Sequence, residues 1–254
     1  MSQIDCYQEF EFDLPTALLS QIVELFDSMS VGVLEDAVVQ AVDDAQGLYL
    51  LYVNGELVYV GKTDSEAGLK ARLLRHARKI QARKNLDRAH VGFKAIRIYV
   101  FTAMDLEDLL IKHYQRQGVA LQWNNSGFGS NDPGRQRDHT RLKDGHFDRK
   151  YPIDLSMGVT FDGLVSSMSA AEVLYSLKDQ LSYTVRFETQ KNSRTAHSDL
   201  LSTNVVLVGE IFTVRDVLLK VSQALGNEWQ ITALPGHIII YKESATYVEG
   251  EIIR

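Results

Sequence analysis

Tyr49 and Tyr59 stand ten residues apart, and a cation-rich stretch follows them. Gly47-Leu48-Tyr49-Leu50-Leu51-Tyr52-Val53 and Glu56-Leu57-Val58-Tyr59-Val60-Gly61 are apolar runs joined by Asn54-Gly55, a strong hairpin signal. A two-residue turn would pair Val53 with Glu56 and send the two tyrosines to opposite faces, because strand side chains alternate. A three-residue loop with a left-handed Gly55 in a G1 bulge would pair Tyr52 with Glu56 and set Tyr49 against Tyr59. If the tyrosines cooperate, the bulged turn is expected; otherwise both are ordinary residues of an amphipathic strand. Arg72, His76, Lys79 and Arg83, spaced by four, three and four, form one stripe of a helix over about 68–83, beside the apolar stripe Leu69, Leu73, Ala77, Ile80. Between 70 and 88 there are eight Lys or Arg and one acid, so compensating i,i+4 carboxylates are missing and an anionic partner is expected. Glu107 opens a later helix, where the helix dipole alone accounts for an acid, as it does for Asp105 and Asp108. No dense carboxylate cluster of the two-metal kind is present, so metal chemistry here would use few protein ligands and much water, which suits magnesium.

The elements that must position these groups belong to a folded chain. It has 254 residues, 45% hydrophobic and 24% charged, with only four prolines. No apolar run approaches the ~20 residues of a membrane span. The acidic start lacks the order of a signal peptide, and Cys6 is the only cysteine, so a cytoplasmic protein without disulfides or a cysteine-rich zinc site is expected. The net charge of −6 is unevenly spread: −10 over 1–46, +7 over 47–100, 0 over 101–154 and −3 over 155–254. Local charge matters more than the total, because screening limits its reach to roughly 10 Å. Periodicity predicts two acidic amphipathic helices within 16–45, a strand over about 93–101, and a helix over about 104–117 capped by Thr102. Residues 124–150 read as loop, and Tyr151-Pro152 as a boundary. From 157 onward two similar halves appear. Ser169 and Thr213, 44 residues apart, each precede an apolar-striped helix and then a strand, at 183–187 and 229–232.

At this point the residues carry a family likeness. Gly47-Leu48-Tyr49, Tyr59-Val60-Gly61-Lys62, a helical Arg72 and a later Glu107 resemble the GIY-YIG endonuclease superfamily. Arg72-Leu73-Leu74-Arg75-His76, Asn85-Leu86-Asp87, Trp123-Asn124, Gly127-Phe128-Gly129 and Asn131-Asp132-Pro133-Gly134-Arg135 resemble its type II restriction branch. The likeness covers about 45–140, with Leu48 where the motif has Ile. It implies a nuclease domain with a three-stranded antiparallel sheet; with the readings above, an α+β protein is expected, with domains at 1–45 (acidic, helical), 46–150 (nuclease) and 157–254 (interaction or dimerisation).

By position it implies that Glu107 binds one Mg²⁺, with Mn²⁺ as a substitute. Tyr49 lies near the attacking water as base or orienter, Tyr59 holds the phosphate or assists the base, and Arg72 supports the transition state. His76 moves a proton, as the alternative base. Lys62 depresses a tyrosine pKa or holds a phosphate, and Asn124 is the polar active-site asparagine, uncertain by one against Asn125. A tyrosine base at neutral pH needs its pKa of about 10 depressed by several units.

Arg75, Lys79, Arg83, Lys84, Arg135 and Arg137 are expected to contact double-stranded DNA, with 127–137 as a contact loop or, alternatively, a covering loop packed on Phe128. The expected activity is Mg²⁺-dependent DNA cleavage of restriction or antiviral-defence type. The alternatives are a structure-selective repair or mobile-element nuclease, and a partner-activated or inactive nuclease-like DNA-binding subunit. A homodimer or higher oligomer would supply the two sites a palindrome needs. The C-terminal halves resemble the short N-terminal module of secretins and TonB-dependent receptors, which implies a fold and no function; their net charge of −3 favours a protein partner over DNA, and no membrane is expected. The acidic N-terminal segment is either a solvated face or a flap competing with DNA. His197 and His237 are expected to be ordinary core or surface histidines.

Overall fold

The structure is a computed structural model describing residues 6, 8, 11–63, 66–99, 105–130, 134–162 and 165–254. The chain is α+β and divides into two compact units: the described residues up to Leu73 with Ala89–Leu121, and Leu74–Arg88 with Gln122–Arg254. The expected 46–150 segment is thus shared between units.

In the first unit, helix α1 (Leu14–Ser28) starts at Asp13, whose carboxylate accepts from the Thr16 amide at 3.1 Å, and Pro15 fits the first turn, where no amide partner is needed. The second acidic helix expected before residue 45 is only one turn, α2 (Asp36–Val39), preceded by the short strand β1 (Gly32–Val33). Its apolar set does not form a buried stripe: Leu34 and Val39 are buried, whereas Val38 is exposed. Strands β2 (Gly47–Val53) and β3 (Glu56–Thr63) form the hairpin, helix α3 (Leu69–Gln81) begins in this unit, and strand β4 (Val91–Arg97) and helix α4 (Leu106–Arg116) complete it. The sheet order is β1-β4-β2-β3, antiparallel throughout, one strand more than the expected three. Central β2 buries both faces. Leu48 and Leu50 pack in a core with Phe26, Val60, Ile96, Leu106 and Leu110, while Tyr49 and Leu51 are buried on the other side. Helix α4 is capped by Asp105, which accepts from the Asp108 amide; the expected cap Thr102 and strand end Phe101 lie outside the described residues.

The hairpin departs from the bulged-turn expectation. Asn54 (φ 51°) and Gly55 (φ 83°) both lie in the left-handed region and make a two-residue turn that pairs Val53 with Glu56 and Tyr52 with Leu57. The bulge occurs one step further on, where Leu51 pairs with Tyr59, leaving Val58 as the extra residue. That insertion shifts the register by one, so Tyr49 pairs with Gly61 and Tyr59 becomes its diagonal neighbour on the same face. The tyrosines do share a face, by a bulge inside the strand.

The second unit takes the rest of α3 and one helical turn, α5 (Phe147–Lys150), then strands β5 (Gly158–Thr160) and β6 (Val165–Ser169), helix α6 (Ala170–Gln180), β7 (Thr184–Phe187), α7 (Ser198–Ser202), β8 (Asn204–Val208), β9 (Ile211–Thr213), helix α8 (Val214–Leu225), and β10 (Gln230–Ala233), β11 (His237–Tyr241) and β12 (Glu251–Ile253). Ser169 and Thr213 cap α6 and α8 in matching capping boxes with Glu172 and Asp216, as the 44-residue offset predicts. The halves pair reciprocally: β5 with β9 and β6 with β8, the first strand of each half against the second strand of the other. Sheet β12-β10-β11-β7 carries Val185, Ile231, Ile238 and Ile240 into a core with α6 and α8. The expected boundary at Tyr151-Pro152 is instead woven in. The Lys84 amide donates to Pro152 O at 2.8 Å, Asp154 to Ala82 O at 3.0 Å, and Ile153 to Pro235 O at 2.9 Å. Among the described residues, no helix is long and apolar enough to cross a membrane.

Candidate active site

In the first unit, Tyr49 and Tyr59 have ring centroids 5.9 Å apart with planes tilted by 33°. The Tyr49 ring passes directly over Gly61: a Cβ there would lie 2.4 Å from Tyr49 Cζ and 2.8 Å from Tyr59 Cε1. Gly47 is equally constrained, since a Cβ would meet Ile96 O at 2.1 Å. The glycines of the two motif triplets are therefore required by close approach, Gly47 by the β4 backbone at Ile96 and Gly61 by the tyrosine rings.

Tyr49 is buried, and burial, with Tyr59 beside it and hydrogen-bonded to it, pushes its phenol well above the ordinary range; Arg72 pulls the other way and Glu107 reinforces the rise. Deprotonated Tyr49 is therefore disfavoured, contrary to what a tyrosine base would need. Lys62, expected to depress a tyrosine, is turned to carboxylates. Its Nζ lies 2.9 Å from Asp105 Oδ1 and 3.7 Å from Glu107 Oε2. The hydrogen bond from Lys62 holds the Asp105 carboxyl below its usual value. Glu107 shifts the other way: burial raises its carboxyl above the usual value, Asp105 adds to the rise, and Lys62 and Arg72 only partly offset it. Tyr49, Tyr59, Lys62, Arg72 and Glu107 thus form one electrostatically coupled group built on β2, β3, the first turn of α3 and the start of α4.

The remaining expected site residues belong to the second unit. His76 is 1% exposed, its ring stacked on Phe128 at 4.7 Å, so it is a packed core histidine in its surroundings there. Asn124 is half-buried, and Asn125 adopts φ 59°. Within the cationic stretch, Arg78, Lys84 and Arg88 are exposed, while three others have partners within this unit. Arg75 Nη2 donates to Gly129 O at 3.1 Å, and Lys79 Nζ donates to Gly127 O at 3.0 Å and to Phe128 O at 2.5 Å. Burial lowers the Lys79 ammonium to about 8. The Arg83 side chain is 3% exposed, paired with Asp148 at 2.8 Å and donating to Tyr151 O at 3.1 Å. Lys79 and Arg83 also lie 5.4 and 5.3 Å from the Phe147 ring centroid. Phe128, Trp123, Phe147 and Tyr151 form the aromatic cluster that these cations cover. Arg135 pairs with Glu188 at 2.9 Å and Glu243 at 3.0 Å. Lys79 and Arg83 are turned into this unit, where their donors serve its carbonyls and a carboxylate, whereas Arg75 and Arg135 remain exposed beside their partners. Lys84 and Arg137 are exposed. The covering-loop alternative describes 127–130 better than the contact-loop reading, while 131–133 lie outside the described residues. His237 is not an isolated histidine, since its Nε2 lies 3.0 Å from Asp138 Oδ1.

Among the described residues, no three His, Cys, Asp or Glu gather as a cation site. A single-carboxylate site is nonetheless compatible with the residues present. The Glu107 anion is half-buried and incompletely neutralised, and a hard cation on it would relieve that cost.

No protein-family model matches this sequence, and no curated protein does. Residue-level reasoning missed the Lys62–Asp105 pair, whose only sequence signal was an acid two residues before Glu107, and missed Asp138, whose partners lie 48 and 99 residues further along the chain.

Proposed function

We propose that this chain is a Mg²⁺-dependent DNA endonuclease of restriction or phage-defence type, hydrolysing phosphodiesters in duplex DNA by GIY-YIG chemistry. The observation that carries the reading is the coupled group Tyr49, Tyr59, Lys62, Arg72 and Glu107 over the close-packed Gly61. Glu107 would hold the metal, with water and substrate phosphate completing its shell. Bound there, Mg²⁺, or Mn²⁺ in its place, would supply charge neutralisation at the scissile phosphate.

The side chains divide the remaining work. Arg72 offers a forked cation to the phosphate oxygens as negative charge builds on them. Tyr49 stays protonated at neutral pH because of its burial and donates its hydroxyl proton toward Tyr59. Its oxygen lone pairs then accept from the attacking water and orient it. Tyr59, at the more open edge, reaches the phosphate. Lys62 keeps Glu107 ionised by lowering its carboxyl pKa. In this reading the nuclease works in the cytoplasm, and a homodimer or higher oligomer, assembled through residues 157–254, supplies one site per strand. The same surface is where a protein partner would act.

The test is incubation of the purified protein with unmethylated plasmid and phage DNA in Mg²⁺. Discrete fragments from the wild type and none from Glu107→Ala are expected. Cleavage confined to branched substrates would favour a structure-selective repair or mobile-element nuclease. Equal inertness of both proteins in Mg²⁺ and Mn²⁺ would count against catalysis and leave a nuclease-like DNA-binding subunit.

A further inference from the structure

The second unit contains a covered sheet face, with Ile239, Tyr241 and Tyr247 buried over it, that the nuclease chemistry does not use. β11 pairs in parallel with β7, His237 with Thr184 and Ile239 with Arg186. Alternation therefore puts Arg186, His237, Ile239 and Tyr241 on one face, opposite the face that Val185, Ile238 and Ile240 send into the core. A turn of the chain, Arg135–Arg137 with the two residues after it, is fastened to this face at three points. The Arg135 guanidinium lies 4.0 Å from the Tyr241 ring centroid and pairs with Glu188 and Glu243. Asp138, its side chain fully buried, accepts from Arg186 and lies 3.0 Å from His237 Nε2. The His139 ring stacks on Tyr247 at 4.4 Å, with planes 11° apart.

Between and after these fastenings, the side chains of Arg137, Arg141 and Lys143 are exposed, and none makes an ion pair or hydrogen bond among the described residues. The segment is therefore two-sided, with one set of groups spent on holding it and a second set left outside in which the charged side chains, Arg137, Arg141 and Lys143, are all cations. Long cations on a fixed turn lose less freedom on meeting an anion than the same cations on a loose loop.

We propose that residues 135–143 are a clamped nucleic-acid contact segment: Arg135 and Asp138 are positioning residues, and Arg137, Arg141 and Lys143 bind phosphates of duplex DNA. This rests on the reading of the chain as a DNA nuclease. It adds Arg141 and Lys143 to the contacts and gives Arg135 a different task from the one its charge suggests.

The experiment is duplex-DNA binding by the full-length protein, followed by fluorescence anisotropy over a series of salt concentrations, with Ca²⁺ replacing Mg²⁺ to suppress turnover. The triple variant Arg137→Ala, Arg141→Ala, Lys143→Ala should bind roughly tenfold or more weakly, with a log–log salt slope shallower by about 2–3, since each lost phosphate contact removes about 0.9. Its thermal melt should match the wild type.

Arg135→Ala keeps all three outward cations and removes the pairs with Glu188 and Glu243 from a half-exposed side chain outside the hydrophobic core, so it should fold. It should weaken binding and speed tryptic cleavage after Arg137 and Arg141, and Arg135→Lys should restore both in part. Unchanged affinity and slope in the triple variant, with wild-type binding intact, overturns the contact assignment alone. Unchanged proteolysis and affinity in Arg135→Ala overturns the positioning role. Absence of duplex binding by the wild type overturns this proposal and the nuclease reading together.

Discussion

Lys62 in the first unit and Lys79 in the second are both lysines next to a motif, yet their surroundings differ in kind. Lys62 is 43% exposed on its side chain and shared between the open Asp105 and the half-buried Glu107. Lys79 is drawn under Phe128 and Phe147, hydrogen-bonded to two backbone carbonyls, and burial lowers its pKa to about 8. The same contrast separates Arg72 from Arg83. One helix stripe, read at regular spacing, thus supplies a coupled site at its start and a structural clamp further along. The difference teaches that a cationic run without neighbouring acids need not await an anion from outside. Its partners can be carbonyls and carboxylates far along the chain, here Gly127, Phe128, Asp148 and Tyr151.

Several substitutions would break or sharpen that contrast. The largest stability effect is expected at Arg83. Arg83→Met leaves Asp148 without its cation in a mostly buried setting and should cost about 3–5 kcal/mol in chemical denaturation. A loss near zero would return Arg83 to the DNA-facing set. Next is Gly61→Ala, which drives a methyl into the Tyr49 ring and should cost about 1–3 kcal/mol, with cleavage falling because Tyr49 must move.

A smaller effect, read in pH, is expected at Lys62. Metal binding needs ionised Glu107, so activity should fall as pH drops through the Glu107 pKa, which burial has raised above its usual 4.5. Lys62→Met removes a lowering influence and should move that acid limb to still higher pH, whereas Asp105→Asn should move it down; a limb indifferent to both would uncouple the three residues. The smallest effect concerns Lys79. Its folded pKa, about 8, lies below the unfolded value near 10.5, so between these values the unfolded chain holds one more proton and stability gains from rising pH. The pH dependence of unfolding between 8 and 10.5 should therefore lose that upward contribution in Lys79→Met.

Much of the arrangement was legible in the sequence where the cause was local. The position of the hairpin turn at Asn54-Gly55, the apolar stripe Leu69, Leu73, Ala77, Ile80, and the twin caps Ser169 and Thr213 follow from backbone preference and period, and each appears where expected. The bulge at Val58 did not follow, because a turn type fixes the register only at its own end of the hairpin, and packing of Tyr49 over Gly61 decides it further up. The one-turn length of α2 was likewise hidden, since apolar spacing over 34–42 cannot reveal that Leu34 joins β4 by donating its amide to Val91 O at 2.9 Å. In the site, the motif residues were readable by type, and the direction of the Tyr49 shift required its burial. The inward turn of Lys79 and Arg83 was not readable at all, because the Gly127, Phe128 and Tyr151 carbonyls and the Asp148 carboxylate that hold them lie between 48 and 68 residues away along the chain.

Labour is divided between the first-unit group and the clamp. The most direct test of that division is single-turnover DNA cleavage in Mg²⁺, normalised to folded protein, for Glu107→Ala and Arg83→Met, with a denaturation curve for each. The account predicts that Glu107→Ala loses roughly a hundredfold or more in rate with little change in stability. Arg83→Met should lose stability while its folded molecules cleave at the wild-type rate. Full cleavage by Glu107→Ala, or a selective rate loss in Arg83→Met with stability unchanged, would contradict it.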